Sequence, residues 1–287
     1  MADAAWTIGG LLRWTSDYLG RKGVDSPRLD AEVLLAHVLG SQRIDLYVRS
    51  EELADAEVRS RYRALIERRV AGCPVAYLVG RKEFFLLPFE VSPAVLIPRP
   101  STESLVLATI ERLQNVSHPT ILEVGTGSGC IAVALAVRLL NARLIATDVA
   151  PEVLDVARRN AQFHRVHERI DFRQGSLYEP VSTDQFDAVV SNPPYIPESE
   201  IAQLAPEVRE HEPKAALDGG PDGLSVIRPV IAGAALHLRT GGWLLIEIGA
   251  GQACAVEQLV SQSKDLRFDS IATDSDGIPR VLVARRT

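Results

Sequence analysis

From residue 120 onward the chain repeats one pattern: a short apolar run rich in branched residues, then a stretch with helical spacing. Seven such runs stand out, TILEV, ARLIATD, RIDFR, FDAVVS, GWLLIEIG, LRFDSIA and PRVLVARR, and helices fit between several of them, as at 151–163 and 252–263. Strands that alternate with helices make a mostly parallel sheet with both faces covered. Sheets of this kind bind ligands outside the carboxyl ends of their strands. Chemistry is therefore expected in the residues that directly follow a strand.

The first 78 residues have a different texture. LLRWTSDYL, SPRLDAEVLLAHVLG and DAEVRSRYRALIERRVAG show helical apolar spacing. Ser26 is placed to cap the second helix, Pro27 suits its first turn, and Gly40 suits its end. His37, among apolar neighbours, reads as a packed core histidine. Residues 79–98 lie in an aromatic, proline-containing stretch that reads as a connecting hairpin of short strands. The expected division is thus a helical domain at 1–78, a linker hairpin at 79–98 and an α/β domain at 99–287.

Charge and cysteine content narrow the function classes. The net charge is −6, with 31 basic and 37 acidic residues, and the deficit lies beyond residue 80. No basic footprint for long nucleic acid is present, although RSRYRALIERR at 59–69 is a local basic run that reads as a solvated helix face. Cys73, Cys130 and Cys254 form neither a CxxC pair nor a Cys/His cluster, which points to a reducing, cytoplasmic setting and no structural metal. No apolar run approaches the length of a membrane span, and MADAAWTIGG has no signal-peptide pattern.

The first strand of the repeat ends in EVGTGSG. Gly125, Gly127 and Gly129, with Thr126 and Ser128 between them, allow a tight turn and close backbone approach to a ligand, and a helix is expected from about Cys130. The dinucleotide fingerprint needs a small third residue at 130, where Cys130 stands, and no Lys-Ser/Thr pair marks a phosphate loop. Asp148, at the end of the next strand, is placed to accept both ribose hydroxyls of a nucleoside cofactor. That role is shared by NAD and S-adenosylmethionine sites, and a helix cap before Pro151 is the plainer reading. Ser176 and Leu177, after the third strand, are candidates to flank an adenine.

The fourth strand ends in SNPPYIP. Consecutive prolines fix the backbone and remove its donors, leaving carbonyls exposed. With the Asn192 carboxamide oxygen, the carbonyls of Pro193 and Pro194 could accept both N–H bonds of a planar amino group, and Tyr195 could stack on its flat face.

The glycine pattern resembles motif I of methyltransferases that use S-adenosylmethionine, and the tetrapeptide resembles the Asn/Asp-Pro-Pro-Tyr/Phe signature of those that modify planar amino groups. In order along the chain, RLDAEVLLAHVLG, PVAYLVGRKEFFLLPFEVSPAVLIPRPSTESLV, EVGTGSGCIAVALA, SNPPYIP and HEPKAALDGGPDGL resemble the HemK/PrmC family of peptide chain release factor glutamine methyltransferases. Family members usually carry an acidic residue at position 101 and aspartate at 123 and 176, where this chain has Ser101, Glu123 and Ser176. The resemblance implies a Rossmann-like methyltransferase sheet and S-adenosylmethionine as cofactor. It also implies an amino-terminal substrate-recognition domain, class 1 release factors as protein substrate, and methylation of the glutamine in their Gly-Gly-Gln motif. Asn192 and Pro193 would hold the acceptor amide. Arg99 and Glu103 would either shape the pocket or form a linker salt bridge. The alternatives are a ribosomal-protein glutamine or a nucleic-acid adenine amino-methyltransferase.

Overall fold

A computed structural model describes residues 6–287; the expectations that touch residues 1–5 lie outside the described residues. The chain forms two compact units. One takes the chain up to Gly80 together with Ala205–His211, and the other takes Arg81–Leu204 and Glu212–Thr287.

The first unit is helical: α1 (Ile8–Arg21), α2 (Pro27–Leu39), α3 (Asp45–Val48), α4 (Ala56–Val70) and α5 (Val75–Val79). Local chemistry sets the ends. Thr7 and Asp55 cap α1 and α4 through their side chains. Ser26 occupies the cap position of α2 without a side-chain capping bond, so Pro27 in the first turn carries that start. Gly40 ends α2 in the left-handed conformation. Leu19, Leu34, Leu35 and Leu46 are buried, and so is Tyr62, which donates to the Ala31 carbonyl. His37 is half-buried on α2. The segment Ala205–His211 joins this unit, where Glu207 pairs with Arg69 at 2.8 Å.

The second unit begins with the hairpin β1 (Arg81–Phe84) and β2 (Leu87–Glu90), followed by α6 (Glu103–Leu113). Then come β3 (Thr120–Val124), α7 (Cys130–Arg138), β4 (Arg143–Asp148), α8 (Pro151–Phe163), β5 (Ile170–Gln174) and β6 (Phe186–Ser191). After the short α9 (Glu198–Ile201), and α10 (Pro206–His211) of the first unit, the chain continues through α11 (Ile227–His237), β7 (Leu238–Glu247), α12 (Ala253–Ser261), β8 (Leu266–Thr273) and β9 (Pro279–Arg286). The sheet order is β5-β4-β3-β6-β7-β9-β8; pairings from β5 to β7 are parallel, and β9 runs antiparallel to β7 and β8.

Alternate residues of each central strand face opposite layers. Ile121 and Val190 join a core with α6 and α7, while Leu122 and Val189 join one with α11 and α12. The order reverses at β3: the chain moves outward through β4 and β5, then returns to place β6 on the other side of β3. This switch point is where open α/β sheets hold ligands. The register sets Val124 opposite Ser191, and the Ser191 hydroxyl donates to the Val124 carbonyl at 2.7 Å. The glycine loop and the proline corner are therefore neighbours by construction.

Candidate active site

The loop after β3 turns because its three glycines have φ of 76°, 55° and 78°. The amides of Gly125 and Thr126 both donate to the Thr147 carbonyl at 2.9 Å, which ties the loop to the end of β4. A Cβ on Gly125 or Gly127 would meet no protein atom within 4 Å, whereas one on Gly129 would stand 3.0 Å from the Ala157 Cβ. The first two glycines thus keep the cavity floor open. Gly129, which is outside the cavity lining, lets α7 and α8 approach.

Asp148 ends β4 with its carboxylate turned back on this loop. One oxygen accepts the Gly127 amide at 3.0 Å and the other the Ala150 amide at 3.3 Å. Burial raises its pKa, and those backbone donors hold it down. Glu123 lies beneath the loop, wholly buried; burial pushes its pKa up to about 8, and the Asp148 charge adds to the rise. Thr126 donates to one Glu123 oxygen at 2.7 Å, and the other oxygen has no partner. Ser176 and Leu177 follow β5, Leu177 with a φ of 50° and the Ser176 amide bonded to Glu179.

The corner after β6 is anchored from several sides. The Asn192 Nδ2 donates to the Thr102 hydroxyl at 3.1 Å. Among the described residues no backbone amide donates to the Pro193 carbonyl. Gln252 Nε2 donates to the Tyr195 carbonyl at 2.9 Å. The Tyr195 hydroxyl reaches Glu247 Oε1 at 3.5 Å, and burial raises the phenol pKa to about 12. Tyr195 is not part of the cavity lining, so its ring buttresses the corner from behind.

These strand ends enclose a cavity of about 530 Å³, a size typical of small-ligand sites. Gly125 to Ser128, Asp148, Ser176, Leu177 and Asn192 to Pro194 all line it, joined by Arg99 and Thr102. Arg99 is paired with Glu212, which also accepts the Ile97 amide at 3.1 Å. Glu103 accepts the Phe85 amide at 2.8 Å and so secures the hairpin turn; it neither lines the cavity nor pairs with Arg99. Thr102, Glu212 and Glu247 were not singled out from sequence, and Glu123 was noted only as a departure from the family's aspartate. The buried-charge rule could have found Glu247 and marked Glu123 as more than a departure, since each is a lone acid in an apolar strand close to its carboxyl end.

The open glycine cradle, the Asp148 carboxylate and the amino end of α7 fit a nucleoside bearing an amino-acid tail. Asp148 and Glu152 line the cavity while Arg99 is already committed to Glu212, an arrangement that favours a ligand carrying positive charge.

Comparison with known proteins agrees with this geometry. Residues 10–80 match the PrmC N-terminal domain, and residues 102–215 match the methyltransferase small domain. The chain is 42% identical over 280 residues to a release factor glutamine methyltransferase of Geobacter sulfurreducens, covering 98% of this chain and 97% of the relative. It is 41% identical over 285 residues to one of Rhodopirellula baltica, covering 98% and 96%. A solved methyltransferase of Pyrococcus furiosus shares the fold, with a TM-score of 0.51 and 19% identity, covering 79% of this chain and 98% of that one. Identity at the level of the two bacterial relatives, sustained along almost the whole chain, shows the family: the protein belongs to the release factor glutamine methyltransferases, enzymes that depend on S-adenosylmethionine.

Proposed function

We propose that the protein methylates the side-chain amide nitrogen of the glutamine in the Gly-Gly-Gln motif of class 1 peptide chain release factors. One observation carries the reading. The Asn192-Pro193-Pro194 corner, held through Asn192 by Thr102, opens into the same cavity as the glycine loop, in a chain whose relatives along almost its whole length are named release factor glutamine methyltransferases.

When bound, S-adenosylmethionine supplies a methyl on positively charged sulfur that departs as a neutral thioether. Asp148 would hold the ribose, Ser176 and Leu177 would flank the adenine, and the loop from Gly125 to Gly129 with the start of α7 would receive the amino-acid end. Asn192 Oδ1 and the Pro193 carbonyl accept the two N–H bonds of the substrate amide. An amide nitrogen is a weak nucleophile because its lone pair is shared with its carbonyl. Two fixed acceptors orient it and favour the positive charge that grows on nitrogen as its bond to the methyl carbon forms and the sulfur–methyl bond breaks; the N-methylated amide then loses its extra proton to water. Pro193 and Pro194 keep those acceptors from relaxing, because their φ angles are locked. The helical unit serves substrate recognition, and the reaction is cytoplasmic, in keeping with three free cysteines. Direct sequence-specific binding of nucleic acid forms no part of the reading.

The test is transfer of labelled methyl to a purified release factor beside duplex and single-stranded DNA. Labelling of the release factor alone is expected. Labelling of DNA, with the release factor untouched, would overturn the proposal in favour of an adenine-directed enzyme.

A further inference from the structure

Among the described residues that line the cavity, Arg99 is the only basic one. A cation there is out of place in a site for a sulfonium. S-adenosylmethionine differs from its demethylated product by one methyl group and one positive charge, so a bare Arg99 would repel the cofactor and spare the product. What restrains Arg99 lies just outside the cavity.

Pro98 and Pro100 flank Arg99, and Pro213 follows Glu212. A residue before proline is pushed to extended backbone, and Arg99 has φ −101° and ψ 145°. Each charged residue thus springs from restricted backbone. Glu212 is buried; one of its oxygens accepts Arg99 Nη2 and the other accepts the Ile97 amide at 3.1 Å. The Arg99 side chain is 33% exposed and that of Glu212 is 1% exposed, so the positive end of the pair faces the cavity and the negative end stands behind it. The Thr102 amide donates to the Arg99 carbonyl at 3.1 Å, and the Thr102 hydroxyl accepts Asn192 Nδ2 at 3.1 Å. Arg99 therefore belongs to the Asn192 end of the cavity, where the proposed transfer brings the sulfonium.

We propose that Glu212 is a positioning residue that fixes Arg99 against the cavity wall and cancels its charge, and so lets the site hold the cationic cofactor against competition from its neutral product. The inference rests on the reading that transfer occurs at the Asn192 corner.

The experiment is calorimetric titration of the wild type and variants with S-adenosylmethionine and, separately, with its demethylated product; the readout is the ratio of the two affinities. Unit charges about 8 Å apart, roughly the breadth of a cavity of about 530 Å³, change affinity about 30-fold at an effective dielectric constant of about 20 and about twofold in bulk water. Glu212→Gln keeps the shape and removes the charge, and should shift the ratio about tenfold toward the product. Glu212→Asp keeps the charge and should hold the wild-type ratio, even where both affinities fall. Arg99→Met/Glu212→Gln should bring the ratio back to the wild-type value or beyond it toward the cofactor. If Glu212→Gln does not fold, Arg99→Met carries the test: it removes the end of the pair that faces the cavity and should shift the ratio toward the cofactor. Equal losses of both affinities in Glu212→Gln, or an unchanged ratio in Arg99→Met, would make Glu212 a structural staple only and overturn the proposal. The ratio is read without release factor, so failure of the acceptor reading and failure of this proposal show separately.

Discussion

Removing the Asp148 carboxylate separates cofactor binding from chemistry. In the free protein this group accepts the Gly127 amide at 3.0 Å and the Ala150 amide at 3.3 Å, so it shapes the loop as well as facing the cavity. A hydrogen bond to a charged acceptor is worth about 1.5–3 kcal/mol. On the proposed reading the ribose hydroxyls would donate to the same carboxylate, and losing one such bond should weaken cofactor binding of Asp148→Ala about 10- to 150-fold, each 1.4 kcal/mol being tenfold. It should also lower the unfolding midpoint, because both backbone amides lose their acceptor. Asp148→Asn keeps one acceptor but sets an amino group against the second amide, so it should recover part of the stability and little of the affinity. Calorimetric titration with S-adenosylmethionine and its demethylated product measures the first effect, and thermal unfolding the second. Under saturating cofactor the transfer rate should change far less than the affinity. A folded Asp148→Ala protein with wild-type affinity would remove Asp148 from the ribose site and leave it a loop cap.

Three further outcomes are expected. Asn192→Ala should keep the fold and most cofactor affinity while slowing single-turnover transfer about 10²–10³-fold, the scale for one lost preorganised polar contact; near-normal turnover would reduce the corner to a turn. Glu123 has a pKa raised from 4.5 to about 8, so the folded state holds its proton more tightly, and stability should fall as pH rises between those values. Glu123→Gln should flatten that decline in thermal unfolding across the same window, and an equal pH dependence in both proteins would contradict the assignment. Gly129→Ala forces a side chain into a left-handed position, at about 1–2 kcal/mol, and sets its Cβ 3.0 Å from that of Ala157. Its unfolding midpoint should drop, and an unchanged one would show that α7 and α8 tolerate a wider spacing.

The centre of the sheet was legible because β3 and β6 are buried almost throughout and read as continuous apolar runs bounded by turn residues, whereas the edge strands β5 and β8 are largely uncovered. The start of β7 was not legible. It begins at Leu238 and not near Gly242, because the register between β6 and β7 shifts after Phe186, and Arg239-Thr240-Gly241-Gly242 reads as a turn. The hairpin turn was equally hard to place, since Phe85 and Leu86 take φ of 53° and 61° without any glycine to announce them. For the site, the residues that follow strands could be found because topology alone brings them together. The residues behind them could not. Thr102 reaches Asn192 across 90 positions of sequence, and Glu212 reaches Arg99 across 113. Such partnerships leave no local pattern. Tyr195 shows the opposite limit: an aromatic beside two prolines suggests a stacking surface, and nothing local announces that its hydroxyl reaches Glu247 or that Gln252 donates to its carbonyl.

The central claim is that this corner delivers a methyl to one particular nitrogen. Tandem mass spectrometry of a release factor incubated with the protein and S-adenosylmethionine tests it directly. The account requires a gain of one methyl, located by fragmentation on the side-chain amide of the Gly-Gly-Gln glutamine and missing when Asn192→Ala replaces the wild type. A methyl on any other residue, or an unmodified glutamine after cofactor turnover, would contradict it.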